Sequence, residues 1–329
     1  MVVPARNEER FIDDCLHSVL SQTYSNLEVI VVDGASTDAT PSLVRAHVGR
    51  DPRVSLLENP AGTIPKSLNL ALGAARGRWL VRVDAHSTVL PDYVSRAIEH
   101  LRTGRWGGVG GRKDGVGVTP AGRAIAAAMA SRFGVGNSVY HHGTRLQTVD
   151  HVAFGAYPVA LVRRLGGWDE RLLANEDFEF DHRVHSAGHQ LLFDPALLIR
   201  WHCRQSIGDL FRQYRRYGRA KVEVLSLHPD SARPRHLAVP ALVLFAAATG
   251  IGAVARPRLA AKLLGPYVFA VAAASAATAS KVDGEARPFV PAAFAAMHFG
   301  WGVGFWQGVA AKVVAAAPRR EAQRLRESA

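Results

Sequence analysis

The stretch LEVIVVDGASTD, residues 27–38, joins an apolar run to a polar loop. Residues 27–32 are almost all apolar, which is typical of a short buried strand. A helical pattern follows at residues 38–48, with Asp38 as the expected N-cap and Pro41 in the first turn. Asp33 could accept a hydrogen bond from a ligand, but an ordinary connecting loop with helix-capping side chains fits the same residues. The stretch predicts a strand–loop–helix unit and leaves both roles of the loop open.

The same alternation of strand and helix patterns extends over residues 1–100. Strands are predicted at residues 1–3, 27–32, 54–58 and 79–83, and helices at residues 8–20, 38–48 and 64–75. This order predicts an α/β fold with a mostly parallel sheet and right-handed crossovers. Ligands of such sheets bind outside the carboxyl ends of the strands. We therefore expect residues 4–8, 33–38 and 84–86 to lie along one edge of the sheet.

The middle of the chain continues with strands and helices. Residues 104–118 are rich in glycine, but they lack the GxxxxGK[ST] spacing of a phosphate-binding loop, so a strand with loops is favoured. A strand is predicted at residues 149–157 and a helix at 175–187, with Asn175 as N-cap and Gly188 as the stop. Two short strands, 190–193 and 197–202, precede an amphipathic, arginine-rich helix at residues 206–227.

The C-terminal part has a different composition from the rest of the 329 residues. Its three apolar runs, residues 237–255, 259–280 and 289–317, each reach the ~20 residues that span a bilayer. We predict two or three membrane spans, with an alanine-rich soluble bundle as the alternative. The predicted domains are a catalytic domain at 1–205, a basic interfacial helix and linker at 206–236, membrane-embedded helices at 237–317 and a basic tail at 318–329.

The net charge of +12 and the pI of about 10.3 favour an anionic partner. Nucleic acid is not the expected partner, because no zinc-finger spacing or RNP-like aromatic motif is present. A basic run at residues 212–235 directly precedes the first apolar run, which favours anionic membrane lipids, although a solvated helix face is the ordinary alternative.

Two cysteines without CxxC spacing predict no disulfide scaffold. Residues 1–3 are short for a first strand and carry no signal-peptide pattern, so we expect a native start upstream of Met1.

Two segments carry side chains suited to metal and acid–base chemistry. Asp84 and His86 follow an apolar strand pattern, and a carboxylate and an imidazole there could hold a divalent cation and through it a diphosphate. His202 is a candidate third contact. Glu176 and Asp177 begin a predicted helix, where an ionised Asp in a cleft could act as a general base. Simple complementation of the helix dipole explains the same acids.

Two further segments carry basic or amide side chains. Arg6 follows the first strand and could lie near a phosphate, with an ordinary loop as the alternative. Gln213 and Arg216 are three residues apart on the arginine-rich helix, so they are expected on one face. The Gln could bond an acceptor sugar and the Arg could neutralise phosphate, or the helix could rest on lipid headgroups.

Five ordered segments together resemble family 2 glycosyltransferases with a GT-A fold. They are PARNEE (4–9), VVDGASTD (31–38), RVDAHS (82–87), NEDFEF (175–180) and QYRRYG (213–218). The segments SRFGVGNS (131–138) and VDHVAFGAY (149–157) are similar to those of succinoglycan-type glucosyltransferases within the family. The resemblance covers residues 1–225 and implies a GT-A fold with a Rossmann-like sheet. The C-terminal transmembrane helical region predicted from the apolar runs is compatible with it.

The resemblance also implies an activity. It is an inverting, metal-dependent transfer of a sugar, most simply glucose, from a UDP-sugar to a lipid-linked glycan, in exopolysaccharide or cell-surface polysaccharide synthesis. The catalytic domain is expected on the cytoplasmic side of the inner (plasma) membrane. The expected cofactor is Mg²⁺ or Mn²⁺. The expected partners are the UDP-sugar donor, the lipid-linked acceptor and membrane lipids. A non-catalytic membrane-bound nucleotide-sugar-binding scaffold is the alternative.

Residue roles follow from the resemblance. Asp177 is the implied general base, and Asp84, His86 and His202 are the implied metal contacts. The implied substrate-binding residues are Pro4, Arg6, Glu8, Asp33, Lys66, Asp84, Glu176, Gln213 and Arg216. Within these, Asp33 would contact uracil, Pro4 and Glu8 would border the base and ribose, and Gln213 with Arg216 would form a QxxRW-like element.

Three departures from the family pattern change these expectations. His86 stands where a second carboxylate is usual, so the metal site carries less negative charge. Ser67-Leu68-Asn69 replaces Ala-Arg-Asn, and Lys66 is expected to supply the missing charge. Tyr217 replaces the Trp of QxxRW, so processive synthesis is not expected.

Overall fold

The computed structural model describes the backbone of residues 1–327 and the side chains of residues 1–315. The strands are β1 (Val2–Ala5), β2 (Val29–Asp33), β3 (Val54–Glu58), β4 (Trp79–Val81), β5 (Ser87–Val89), β6 (Trp106–Val116), β7 (Gln147–Val149), β8 (Ala156–Pro158) and β9 (Gln190–His202). The helices are α1 (Ile12–Leu20), α2 (Thr40–Val48), α3 (Ile64–Ala74), α4 (Tyr93–Arg102), α5 (Pro120–Met129), α6 (Arg132–Val135), α7 (Val159–Arg164), α8 (Glu176–Ser186), α9 (Ile207–Leu227), α10 (Arg235–Ala253), α11 (Pro257–Ala279) and α12 (Val290–Glu327). Short 3-10 turns lie at Val139–His141, Pro229–Ser231 and Arg287–Phe289.

The chain divides into two compact units. The first contains Met1–Val116 and Asn137–Cys203, and the second contains Gly117–Gly136 and the chain from Arg204 onward. The predicted limit at residue 205 lies close to the boundary between Cys203 and Arg204. Residues 117–136, which the sequence placed in the catalytic domain, pack instead with the C-terminal helices. Phe133 meets Phe294 of α12 edge-on, with ring centroids 5.1 Å apart, and this apolar contact holds the segment in the second unit.

The first unit contains the predicted parallel sheet, in the order β1-β2-β3. Residues 29–32 of β2 are at most 2% exposed, which agrees with the buried strand expected from their apolar run. The register aligns Ala5 with Asp33 and Asp33 with Glu58, so the three strands end at one edge. The polar loops that follow them therefore share that edge.

A second, mixed sheet runs in the order β4-β8-β6-β9-β5, with β7 paired to β9. The β6–β9 pair is parallel, whereas β8 pairs antiparallel with both β4 and β6. A parallel bridge between Val2 and Arg82 connects the two sheets, and the Val83 amide donates to the Val2 carbonyl at 3.0 Å. As a result, Asp84 and His86 leave the sheet beside β1.

The glycine-rich segment is a strand, as predicted, and the reason is steric. A Cβ on Gly111 would lie 1.7 Å from the carbonyl oxygen of Leu197, so β6 can approach β9 this closely only with glycine there. The two strands predicted at 190–193 and 197–202 are one continuous strand, β9, because β6 pairs with both parts of it, residues 190–194 and 198–202, across a shift in register.

Two local predictions were wrong. The strand predicted at 149–157 is interrupted between β7 and β8 by a turn in which Phe154 has a φ of +53°. Asp38 is not the N-cap of α2, because the N-cap is Ala39 and the helix begins at Thr40. The Asp38 carboxylate instead accepts from the Thr40 amide at 3.0 Å and from the Glu9 amide at 3.2 Å, which joins two loops at the edge of the sheet.

The second unit is helical, and α12 packs closely along α9. A Cβ on Gly304 would lie 1.9 Å from the Arg215 carbonyl oxygen, and Gly300 and Gly308 face α9 one turn away on either side. Small residues at this spacing let two helix backbones approach. Val290 and Phe294 of α12 are fully buried, so the start of the third apolar run packs inside the protein.

Two helices of the described residues, α10 and α11, have the length and composition of membrane spans. Their 19 and 23 residues correspond to about 28 and 34 Å of helix, close to the hydrocarbon thickness of a bilayer. Much of their apolar surface is exposed, as at Ile251 (79%) and Phe269 (75%). The side chains of the predicted basic tail, residues 318–329, lie outside the described residues.

Candidate active site

A buried arginine, Arg82, joins the two acidic segments that the sequence singled out. Its Nε donates to Asp84 Oδ1 at 2.8 Å, and its Nη1 donates to Glu176 Oε1 at 3.2 Å and to Asp177 Oδ1. The Arg82 side chain is 4% exposed. Burial disfavours its charge, but Asp177, Asp84 and Glu176 raise the pKa of Arg82 well above its usual value. Arg82 is therefore a fixed cation that holds the strand end and the start of α8 in one cluster.

Asp177 is the acid in this cluster whose ionisation is most perturbed. Its side chain is 22% exposed, so it can meet a substrate. Burial raises the pKa of Asp177 to about 7, and the charges of Glu176 and Asp84 act in the same direction, while Arg82 opposes them. A carboxyl group that changes protonation near neutral pH is suited to exchange a proton with a substrate hydroxyl.

His86 belongs to a hydrogen-bonded chain. The indole Nε1 of Trp201 donates to His86 Nε2 at 2.7 Å, so that nitrogen is the acceptor and the proton lies on Nδ1. The Nδ1 atom faces Glu8 Oε1 at 3.0 Å. Because both ring nitrogens have partners, His86 could ligate a cation only after one of these bonds breaks.

A second cation, Lys113, lies beside the cluster. Its Nζ is 3.8 Å from the ring centroid of Trp201 and 4.5 Å from that of Phe154, and Arg82 lies over the Phe154 ring at 5.5 Å. Burial lowers the pKa of Lys113 to about 8, and attraction to Asp84 opposes the shift. Two aromatic faces thus hold positive charge beside two carboxylates.

The turn that carries Phe154 is anchored by Asp181. This fully buried carboxylate accepts from His151 Nδ1 at 2.7 Å, from the Val152 amide at 2.9 Å and from the Tyr157 hydroxyl at 2.7 Å. The turn needs such support, because a bulky residue with positive φ costs about 1–3 kcal/mol. Asp181 therefore positions Phe154, and through it Arg82 and Lys113.

The loops after β1 and β2 are tied to each other. The Asn7 amide donates to Ser36 Oγ at 2.9 Å, the Thr37 amide donates to Asn7 Oδ1 at 2.8 Å, and the Glu8 amide donates to Thr40 Oγ1 at 2.7 Å. This network fixes the predicted nucleotide-binding residues of both loops. The Arg6 guanidinium lies there too and donates to the Gly62 carbonyl at 3.1 Å.

Asp33 has one oxygen free in this framework. Its Oδ2 accepts from the Ser36 amide at 3.1 Å, whereas its Oδ1 is buried and has no hydrogen-bond partner among the described residues. A buried acceptor without a donor is costly, and a ligand N–H would satisfy it. Pro4, one residue from the end of β1, pairs with Val32 beside it.

The remaining predicted residues have other surroundings. Lys66 forms an ion pair with Glu170 at 3.2 Å, with both side chains about two-fifths exposed. Gln213 and Arg216 lie on α9 of the second unit. Gln213 is buried and donates to the Tyr217 hydroxyl at 3.0 Å, while Arg216 is exposed with its guanidinium over the Tyr217 ring at 5.8 Å. Their side chains thus have different environments, although the sequence spacing predicts one face.

Of the three side chains predicted as metal ligands, one has surroundings that suit a divalent cation. Asp84 offers its Oδ2, which takes no hydrogen bond from any described residue, and a carboxylate oxygen suits Mg²⁺ or Mn²⁺. His86 is engaged on both nitrogens, and His202 stacks on Phe11 with centroids 4.4 Å apart. The three predicted ligands do not bring their ligand atoms within 4.8 Å of one another. Asp84 is therefore the residue that would hold the cation, together with the phosphates of a donor.

Sequence reasoning missed four residues of the site: Arg82, Lys113, Phe154 and Asp181. The signal for Arg82 was present, since a lone charge inside the run Val81-Arg82-Val83 has to be paired if the strand is buried. No comparable signal marks Phe154, whose place depends on a turn inside a segment with a strand pattern.

Comparisons with known proteins identify the family of the chain. Residues 1–164 match the family model of glycosyl transferase family 2. Over 320 residues the chain is 30% identical to the succinoglycan biosynthesis protein ExoA of Rhizobium meliloti (strain 1021), with 93% of each chain covered. Over 231 residues it is 23% identical to a dolichyl N-acetyl-alpha-D-glucosaminyl phosphate 3-beta-D-2,3-diacetamido-2,3-dideoxy-beta-D-glucuronosyltransferase of Methanococcus voltae, with 67% of this chain and 72% of the relative covered.

A solved structure shares the fold. The mannosyltransferase PcManGT from Pyrobaculum calidifontis, in complex with GDP-Man and Mn²⁺, superposes with a TM-score of 0.62 at 22% identity. The match covers 91% of this chain and 85% of that chain, and it identifies the fold as GT-A. With this fold and 30% identity across 93% of both sequences, the chain belongs to glycosyl transferase family 2.

Proposed function

We propose that the chain transfers a sugar, glucose in the simplest case, from a UDP-sugar to a lipid-linked glycan, with inversion at the anomeric carbon. The reaction would contribute to an exopolysaccharide or another cell-surface polysaccharide. Family membership and the similarity to a succinoglycan biosynthesis protein support this proposal. The protein would act at the inner (plasma) membrane, with the catalytic unit on the cytoplasmic side.

One observation carries the proposal: Arg82 gathers Asp84, Glu176 and Asp177 into a single cluster. Donor binding and proton removal require acidic groups from distant parts of the chain to meet. A scaffold without catalysis would need no carboxyl group with a pKa of about 7 at the cluster's exposed side.

The proposed reaction is a single displacement. Asp177 takes the proton of the acceptor hydroxyl while the hydroxyl oxygen attacks the anomeric carbon from the face opposite the diphosphate. The bond between the anomeric carbon and the diphosphate oxygen breaks, and its electron pair leaves with the diphosphate. Because one displacement completes the transfer, the configuration inverts and no enzyme nucleophile takes part.

The donor would lie along the edge of the parallel sheet. Asp33 would accept from the uracil N–H with its unpartnered oxygen, Pro4 and Glu8 would border the base and ribose, and Arg6 would lie near a phosphate. Asp84 would hold Mg²⁺ or Mn²⁺, which when bound supplies positive charge to the departing diphosphate. Arg82 would add fixed positive charge beside it, and Lys113 would add a second positive charge while it is protonated.

The acceptor side involves the membrane and the second unit. The exposed apolar surfaces of α10 and α11 would contact lipid, and exposed arginines of α9 would face anionic headgroups. Gln213 and Arg216 would contact the acceptor or a phosphate, and Lys66 would provide positive charge near the donor.

The test uses membranes that contain the protein and a panel of labelled UDP-sugars, with labelled lipid products as the readout. We expect Asp177→Asn to keep UDP-sugar binding and lose transfer, because the amide cannot take a proton. The matched control is Asp92→Asn, which breaks an exposed ion pair with Arg96 on α4 and should leave transfer unchanged. Turnover retained by Asp177→Asn would exclude it as the base.

A further inference from the structure

The second unit contains an apolar groove between the start of α9 and the start of α12. Its volume is about 480 Å³, within the ~300–1,000 Å³ usual for sites that bind small molecules. The lining residues are Ile207, Gly208, Phe211, Arg212, Ala292, Ala295, Ala296 and Phe299. Seven of these are apolar or glycine, so the groove suits a hydrocarbon chain rather than a sugar.

Positive charge lies at one side of the groove. Arg212 is the charged residue in the lining, and its pairing with Asp209 at 2.6 Å is between side chains that are 65% and 50% exposed. Such exposed pairs contribute little free energy, so the guanidinium can turn toward an anion. Arg216 and Arg219 follow on the same side of α9, are exposed, and form no ion pair with a described residue.

The groove is continuous with a surface that has the character of a membrane span. Phe299, in its wall, packs edge-on against Tyr267 of α11, with ring centroids 5.8 Å apart. The next residues of α11, Val268 and Phe269, are 61% and 75% exposed. A lipid beside α11 would therefore find an apolar path into the groove.

We propose that this groove binds the hydrocarbon chain of a prenyl phosphate lipid and that Arg212, with Arg216 beyond it, binds the phosphate. One groove of this size takes one chain, whereas a glycerophospholipid brings two. The alanine walls leave room for the methyl branches of a prenyl chain. The identification of this lipid as the carrier of the acceptor glycan rests on the proposed function.

The direct test is photolabelling of the full chain in phosphatidylcholine vesicles that contain a photoreactive prenyl phosphate. Mass spectrometry should locate the label at residues 207–212 and 292–299. An excess of phosphatidylglycerol should not compete, and an unphosphorylated prenol should label more weakly. Label confined to α10 and α11, or equal competition by phosphatidylglycerol, would overturn the proposal, because the surface would then bind lipids without selectivity.

Two variants test the two halves of the site. Ala295→Phe fills the groove and should weaken labelling about tenfold, the effect of displacing about two methylene groups. Ala248→Phe, at an exposed site on α10, is its matched control and should label normally. Arg212→Gln should reduce labelling by the photoreactive prenyl phosphate but not by the unphosphorylated prenol. Arg102→Gln, on α4, removes one positive charge elsewhere and is the matched control. If Ala295→Phe fails to fold, Ala292→Phe at the exposed mouth replaces it.

The lipid site and the transferase can fail independently. Label in the groove without sugar transfer from any donor would refute the proposed function and leave the groove intact. Sugar transfer to a lipid acceptor with no label in the groove would refute the proposed lipid site and leave the proposed transferase activity standing.

Discussion

The sharpest consequence of the Arg82 cluster is the pH dependence of transfer. Since Asp177 must be ionised to accept a proton, kcat/KM for the donor should rise with pH through the pKa of about 7 and fall again above about pH 8, where Lys113 loses its proton. One pH unit below the pKa of Asp177 about a tenth of the enzyme is ionised, so the rate should be about tenfold lower. The direction follows from the raised pKa, because protonation of the base persists to higher pH than in an exposed Asp.

Glu176→Gln should shift this profile to lower pH. Glu176 Oε1 and Asp177 Oδ1 both bind Arg82 Nη1, so the two carboxylates are within about 6 Å, where two unit charges interact by about 3 kcal/mol at an effective dielectric of 20. Asp177 is 22% exposed, so solvent screens part of this energy, and we expect a shift of about one pH unit.

The assay is the transfer rate to a fixed lipid acceptor from pH 5.5 to 8.5 at constant ionic strength, in ~0.5-unit steps. Glu99→Gln, an exposed change on α4, is the matched control and should keep the parent profile. A pH–rate profile of the unsubstituted protein that is flat through neutral pH would contradict the role of Asp177 as the base. A Glu176→Gln variant that is slower at every pH, with the midpoint of its pH–rate profile unchanged, would contradict the proposed coupling between the two carboxylates.

Three other changes test separate parts of the structure. Asp181→Asn leaves a buried turn poorly supported and should lower the free energy of unfolding by about 2–3 kcal/mol, measured by denaturant unfolding, with a larger loss in kcat than in UDP binding. Gly304→Ala forces its Cβ against the Arg215 carbonyl and should lower the melting temperature, whereas Gly73→Ala, with nothing within 4 Å of its Cβ, should stabilise α3 by about 0.5–1 kcal/mol. Lys113→Met keeps the packing on Trp201 and Phe154 but removes the charge, so it should reduce kcat about 10- to 100-fold, and a normal kcat would exclude an electrostatic role.

The order of motifs along the chain was enough to predict the parallel sheet and the loops at its carboxyl edge. Local pattern favours these features, because residues 29–32 form a short apolar run of β-branched side chains, which is typical of a buried strand, and the loop after it leaves at the strand's end. For the same reason the acidic start of α8 and the strand end at Asp84 could be named as candidates from spacing alone.

Long-range packing decided what the sequence could not. Arg82 lies 94 and 95 positions from Glu176 and Asp177, and no periodicity reports that the three will meet. The turn at Phe154 exists because Asp181 satisfies three donors from another part of the chain, which overrides a strand pattern. The assignment of residues 117–136 to the second unit likewise depends on contacts with α12. Sequence patterns report the burial and secondary structure of a segment, whereas the partner of a buried charge depends on which distant segments the fold brings together.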